Sequence, residues 1–359
     1  MRKWLNSARA YRDRYRNTIS RRRYDRERPP IEQPDSIERL VFVRWDAKWG
    51  DSVVFSFVPR ELRKLGNVSV EVITTPEMAA LFREDFGVDV VHEIRKRPSA
   101  KEITRLAEQI GPVDLVVFFS HLANHRAIYL LNQLKAKHIA GLDDSLGLID
   151  LKLGTATRGW HFADKYVALL RRCGAECVDT SYLVPRDTAL ERRATALIAE
   201  RSRPFICLNA YSKGRARSLT MANCARLAEA VLQRLPGHDV CMLSAPGKEG
   251  EVAAFCDAFE GDRVFALAAT KTIYENIALI AASAGLVSGI TATVHMADGL
   301  GVPSLVLFPY DPADRDDWHS RHAGSFNLMA KPSVPIDVNA LDWDEVQRAV
   351  ETFCEGLTS

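Results

Sequence analysis

Residues 286–308 read Leu286-Val287-Ser288-Gly289-Ile290-Thr291-Ala292-Thr293-Val294-His295-Met296-Ala297-Asp298-Gly299-Leu300-Gly301-Val302-Pro303-Ser304-Leu305-Val306-Leu307-Phe308. The runs 286–288 and 304–308 are short and apolar, as buried strands are, and 293–300 between them reads as a helix. A strand, helix and strand in succession imply parallel pairing in a sheet covered on both faces.

The same alternation extends in both directions. Strands at 205–209, 240–244 and 264–266 alternate with helices at 221–234, 249–258 and 273–284. Further upstream a first set places strands at 40–43, 68–73, 88–92 and 114–119, with helices at 52–65, 78–86, 101–109 and 124–134. The pattern predicts an α/β chain of two doubly wound halves, 36–186 and 187–340. A helix at 188–200 connects them, a closing helix lies within 341–359, and an extension covers 1–35.

The 359 residues are 47% hydrophobic and 26% charged, an ordinary globular composition that excludes disorder for the body. That length accommodates two or three domains of about 100–200 residues. No apolar run reaches the roughly 18 residues of a membrane-spanning helix. The first residues lack the apolar core of a secretory signal, so a cytoplasmic location is expected. Seven cysteines lie scattered at 173, 177, 207, 224, 241, 256 and 354. They read as reduced and mostly buried thiols, and Cys173 and Cys177 lack the neighbours that a zinc site requires.

Charge is unevenly placed. Residues 1–30 carry 11 basic side chains against 3 acidic ones, a net +8, which leaves −6 on the remainder. Trp4, Ala8, Tyr11, Tyr15 and Ile19 fall on one side of a helix with arginines around them. Such a helix suits an anionic membrane surface and also suits RNA phosphates. It also fits a solvated tail, or a helix docked on the body or on a partner subunit. No RNA-reading module follows, so nucleic acid is not the expected partner. Pro29-Pro30 and Pro34 break the helix and mark a linker.

Open parallel sheets bind ligands beyond the carboxyl ends of their strands. Three loops lie there: 44–51, 209–219 and 288–295. In the first, Gly50 permits a sharp turn or close approach of a ligand, and Asp51 opens the following helix. There Asp51 serves either as an N-cap or as a general base facing a cleft. Lys48 is either solvated or a phosphate contact. The second loop carries Tyr211, Ser212, Lys213, Gly214, Arg215, Arg217 and Ser218 ahead of a helix, a set of cations and N–H donors suited to an anion. It is not a Walker loop, and a solvated basic loop is the competing reading. In the third, Thr291 and Thr293 put hydroxyls and free N–H groups at a helix start, with His295 one turn in. His295 is either a structural residue or a phosphate or sugar contact.

Taken together, Leu286-Val287-Ser288, Thr291-Ala292-Thr293-Val294-His295-Met296-Ala297 and Leu300-Gly301-Val302-Pro303 resemble the signature of glycosyltransferase family nine. This family includes the lipopolysaccharide core heptosyltransferases. Leu40-Val41-Phe42-Val43 with the Gly50-Asp51-Ser52 entry is similar to the family's first strand and loop. Arg215-Ala216-Arg217-Ser218-Leu219 resembles its Lys-x-Arg-Ser-Leu element. The matches keep one order across about residues 38–340 and leave the basic extension uncovered. The resemblance implies a GT-B enzyme of two Rossmann-like domains facing a central cleft. It implies metal-independent, inverting transfer from a nucleotide-sugar, with no cofactor. The heptosyltransferases move heptose from ADP-heptose to the inner core of lipid A at the cytoplasmic face of the inner membrane.

Carried over, the resemblance makes Asp51 the general base. Thr291 and His295 contact donor diphosphate and sugar, with Ala292 and Thr293 in the same turn, and Arg215 replaces the family lysine. Tyr211, Ser212 and Lys213 join the donor loop, and Glu249 is the candidate for the nucleotide ribose. Lys48, Gly50, Arg60, Arg63, Lys64 and Arg126 are candidates for an anionic glycolipid or core-oligosaccharide acceptor, and residues 1–30 for an anionic membrane surface, with the enzyme peripheral on it. One departure matters: Ile290 stands where the family has Asp. The departure leaves open another nucleotide-sugar with a capsule or protein acceptor, or a membrane-associated binding member of low activity.

Overall fold

The computed structural model describes residues 2–201, 203–267 and 272–358, with the backbone alone for 2–10 and 197. The side chains of Trp4 and Ala8, placed on the expected helix stripe, lie outside the described residues. The chain divides into two compact units. The first comprises residues 1–48 and 55–180, and the second comprises 49–54 and 181–359.

In chain order the first unit begins with helix α1 (Arg2–Tyr24) and strand β1 (Arg39–Arg44). Helix α2 (Trp49–Phe55) follows, shared with the second unit, then α3 (Phe57–Arg63), β2 (Ser69–Thr74) and α4 (Pro76–Ala80). The unit continues with β3 (Val90–Glu93), α5 (Ala100–Ile110), β4 (Leu115–Phe118), α6 (His125–Gln133), β5 (His138–Gly141), β6 (Leu151–Lys152) and α7 (Phe162–Arg172). Its six strands run in the order β3-β2-β1-β4-β5-β6, all parallel. The Leu40–Val43 run of β1 lies at the centre and is buried throughout, as expected for a strand covered on both faces.

The second unit contains α8 (Thr188–Glu200), β7 (Phe205–Asn209), α9 (Met221–Arg234), β8 (Asp239–Met242), α10 (Glu249–Asp257), β9 (Val264–Phe265) and α11 (Ile273–Ala282). After these come β10 (Gly285–Gly289), α12 (Ala292–Leu300), β11 (Ser304–Phe308), α13 (Pro312–Trp318), β12 (Phe326–Met329) and α14 (Trp343–Thr358). Its sheet repeats the first topology, in the order β12-β11-β10-β7-β8-β9. Two apolar cores flank it. One holds Leu227, Val231, Val346 and Phe353, and the other holds Ala278, Leu279, Ile290 and Val294.

Several expectations change in detail. The helix read over 52–65 is two helices separated at Ser56. Pro59, lacking an N–H, cannot bond the carbonyl four residues earlier, which favours a break there. The helix read over 78–86 is α4 followed by a wider turn at Leu81–Asp85. Strands β5, β6 and β12 and helices α7 and α13 were not anticipated. Among the cysteines, Cys207, Cys224, Cys241 and Cys354 are buried while Cys177 is exposed, and all seven are free thiols.

The extension packs on the first unit through a polar edge of α1. Asn17 Oδ1 accepts from the His125 N–H at 2.7 Å, and Asn132 donates to the Tyr24 carbonyl at 3.0 Å. Arg21 bonds the buried Asp143 carboxylate at 3.0 Å, and Tyr24 meets Tyr129 edge-on at 4.8 Å. The segment read as a linker continues along the same unit, with Arg28 N–H bonded to the Gly147 carbonyl and Ile31 N–H to the Asp150 carbonyl, both at 3.0 Å. Arg21→Ala removes a charged hydrogen bond of about 1–3 kcal/mol. It should accelerate tryptic cleavage between residues 12 and 23, read by mass spectrometry. Unchanged cleavage would show that the helix is held elsewhere.

Candidate functional site

In the second sheet β7 and β10 are neighbours, and the chain leaves them toward opposite edges. The loops at their carboxyl ends are therefore the expected ligand position. Asn209, the last residue of β7, ties them together. Its side-chain N–H2 lies within bonding distance of the Tyr211 carbonyl at 3.2 Å, Ser288 Oγ at 3.1 Å and Thr293 Oγ1 at 3.2 Å. Ser212 Oγ donates to the Ile290 carbonyl, and Ser218 Oγ accepts from the Ser212 N–H at 3.1 Å. A Cβ on Gly289 would lie 2.7 Å from the Arg217 carbonyl oxygen, so the two loops are as close as backbone permits.

Helix α12 starts beside this junction. Thr291 is its N-cap and accepts from the Thr293 N–H at 3.2 Å. Residues 49–54 group with this unit, and Gly50 lies against the same turn. A Cβ there would stand 3.0 Å from His295 Cδ2 and 3.1 Å from Ala292 Cα. The close approach at this glycine is made by the protein's own helix α12, where the sequence suggests a ligand or a sharp turn. Asp51, the next residue, is half-buried in the first turn of α2 and is not its N-cap.

His295 is buried, edge-on to Trp318 at 5.7 Å, and its Nδ1 has no hydrogen-bond partner among the described residues. Burial pushes the imidazole down to about 4, while Asp298 raises it and His319 lowers it. The ring is therefore neutral near pH 7.

The cations of the second loop divide. Lys213 and Arg215 are exposed and make no ion pair among the described residues. Arg217 instead bonds Asp314 of α13 at 2.7 Å. Burial raises the Asp314 carboxyl, with the Arg217 charge opposing. Glu249 accepts from the Gly247 N–H at 3.1 Å and is exposed. Lys248 pairs with Glu251 at 2.7 Å and stands 5.5 Å over the Tyr211 ring.

In the first unit, Ala47 holds a φ of 52°, strain of the kind that collects in functional loops. Lys48 lies 3.8 Å from Asp46. The other expected acceptor cations have protein partners. Arg60 reaches Glu61 at 3.0 Å and Asp179 at 3.1 Å, and Lys64 reaches Glu61 at 2.8 Å. Arg63 meets Asp89 at 3.3 Å, and Arg126 donates to the Pro98 carbonyl at 3.0 Å. Burial raises the Glu61 carboxyl, but bonds from Lys64 and Arg60 more than offset it and hold it below the ordinary range.

Asn209, Asp314 and Trp318 belong to this site and were not singled out from sequence, and Arg217, read as one of the loop's cations, is turned to Asp314. The Asp311-Pro312 pair, an N-cap followed by proline at the first helical position, is the signal that would have located α13. Among the described residues no group of three or more His, Cys, Asp or Glu is placed to hold a metal ion.

The two-domain α/β architecture is the GT-B fold, and solved structures share it. A family nine glycosyl transferase from Veillonella parvula superposes with a TM-score of 0.69 at 15% identity, covering 90% of this chain and 99% of that one. The ADP-heptose lipopolysaccharide heptosyltransferase II of E. coli gives 0.64 at 14% identity, covering 89% and 99%. The E. coli heptosyltransferase WaaC with ADP-2-deoxy-2-fluoro heptose gives 0.60 at 13% identity, covering 87% and 99%. No family model and no curated protein matches the sequence.

Gly289→Ala should separate the two loops and lower stability by about 1–3 kcal/mol in denaturant titration. An unchanged midpoint would mean that the Arg217 backbone yields freely. For His295, the unfolded chain takes up a proton near the ordinary 6.5 while the folded ring resists to about 4. Its stability contribution is complete above pH 6.5 and falls as pH drops toward 4. His295→Gln should flatten the slope of stability against pH in that window by up to one proton, and an unaltered slope would refute the assignment.

Proposed function

We propose that this chain is a glycosyltransferase that moves a sugar from a nucleoside diphosphate-sugar, heptose from ADP-heptose, to a lipopolysaccharide core or related surface glycan. The observation that carries this reading is the contact of Gly50 with Ala292 and His295. It sets the residue before Asp51 against the N-terminus of α12, so a carboxylate and an anion-binding helix end share one unit. The fold shared with a family nine glycosyl transferase and an ADP-heptose heptosyltransferase supports it.

In this mechanism Asp51 takes the proton of the acceptor hydroxyl as its oxygen bonds the anomeric carbon. The bond from that carbon to the diphosphate breaks on the opposite face, inverting the centre. Negative charge grows on the leaving diphosphate. Lys213, Arg215 and the start of α12 at Thr291 and Ala292, with the Thr293 hydroxyl beside it, receive it, serving where other transferases use a metal ion. Neutral His295 offers its ring nitrogens to a sugar hydroxyl, Tyr211 and Ser212 border the donor, and Glu249 accepts from the ribose. Lys48 and Arg126 remain our candidates for the anionic acceptor. We assign Arg60, Arg63 and Lys64 to neutralising Glu61, Asp89 and Asp179. An acceptor of this class sits in an anionic membrane, to which residues 1–30 bring the enzyme.

Ile290 favours a second reading with a different nucleotide-sugar and a capsule or protein acceptor. A panel of nucleotide-sugars scored by thermal stabilisation separates the two. Asp51→Asn should reduce transfer at least a hundredfold while donor affinity by calorimetry stays within a factor of about three. Retained transfer would remove Asp51 from the mechanism.

A further inference from the structure

The contacts of α1 give its faces opposite fates. Asn17, Ser20, Arg21 and Tyr24, spaced by three, one and three, form the edge against the first unit, and Ser20 is 8% exposed. The stripe of Tyr11, Tyr15 and Ile19 lies on the other side, with exposures of 75, 61 and 43%. Apolar residues on a docked helix ordinarily face the body, and here they face away from it. Arg12, Arg22 and Arg23 share the outward side at helical spacing from Tyr15 and Ile19, and all three are exposed. Among the described residues they form a single ion pair, Arg12 with Asp13 at 3.9 Å. Burying this stripe in RNA would give the two tyrosines phosphates and grooves, without the apolar layer that Ile19 needs. A lipid surface supplies both, anionic headgroups for the arginines and an acyl boundary for the rings and Ile19.

We propose that the outward face of α1 is a prebuilt docking surface for an anionic lipid bilayer. The helix is pinned to the first unit through Asn17, Arg21 and Tyr24, so it acts as a fixed ridge and not as a flexible tether. This deepens the membrane partner of the reading above by assigning its surface, and it does not depend on the transfer chemistry.

The test is co-sedimentation of the full chain with vesicles. Phosphatidylglycerol/phosphatidylethanolamine vesicles are compared with pure phosphatidylcholine. The chain should pellet with the anionic vesicles and not with the neutral ones, and less so as salt rises. Tyr11→Ser/Tyr15→Ser/Ile19→Ser and Arg12→Gln/Arg22→Gln/Arg23→Gln should each weaken binding at least tenfold with an unchanged melting temperature, since these residues are exposed. Failure of the parent to pellet, equal binding by both variants, or tighter binding to a duplex RNA than to the anionic vesicles would overturn the proposal. A chain that pellets but is stabilised by no nucleotide-sugar would keep this surface and discard the transferase. The converse result would keep the transferase and discard the surface.

Discussion

The side-chain amide of Asn209 holds the second unit's site together. It stands where the sheet reverses its winding, and it reaches the carbonyl of its own loop together with Ser288 and Thr293 across the switch point. Each such bond is modest in net terms, but a buried amide left without partners costs about 1–3 kcal/mol. The amide therefore keeps the ends of β7 and β10 in register with the start of α12. Gly289 permits the arrangement by leaving room for the Arg217 backbone. The cap at Thr291, the position of His295 and the contact with Gly50 all follow from where α12 begins.

Electrostatics in the first unit is organised by a few buried carboxylates. Glu61, Asp143 and Asp150 are each under 5% exposed, and each gathers donors from distant parts of the chain. Asp150 accepts from the Ile139 and Leu151 N–H groups at 2.7 and 3.0 Å, with Arg28 3.5 Å away. Asp143 accepts from the Ala123 N–H and from Arg21, both at 3.0 Å. A buried charge without such partners would not survive folding. Part of the basic character of the extension is therefore structural: Arg21 and Arg28 serve these carboxylates, whereas Arg12, Arg22 and Arg23 do not.

Long periodic elements were legible in the sequence, and so was the doubly wound pattern, because apolar runs such as Leu40–Val43 and Leu305–Phe308 read as buried strands in any context. Elements that tertiary contacts complete were not. Strand β5 contains His138 and Gly141, and β6 is two residues long, so neither has a period to detect. Helical spacing placed Tyr11, Tyr15 and Ile19 on one side of α1, but spacing cannot tell which side meets the body. That depended on Asp143, Asn132 and Tyr129, more than 100 residues away. The candidate loops were located correctly at strand ends. The division of their cations was hidden, since the partner of Arg217 lies on α13 and that of Arg60 at Asp179.

Ile290 shows how a change in a signature can be read physically. Ile290 is 3% exposed and joins the core with Ala278, Leu279 and Val294. Its carbonyl accepts from the Ser212 hydroxyl. An aspartate there would carry a charge into this apolar core, at a cost of several kcal/mol unless a partner met it. In this chain the position is a packing residue, and the loop keeps its shape through backbone bonds. On the transfer reading proposed above, discrimination among donor sugars falls to side chains other than that of residue 290, with Ser212 and Thr291 among those beside it.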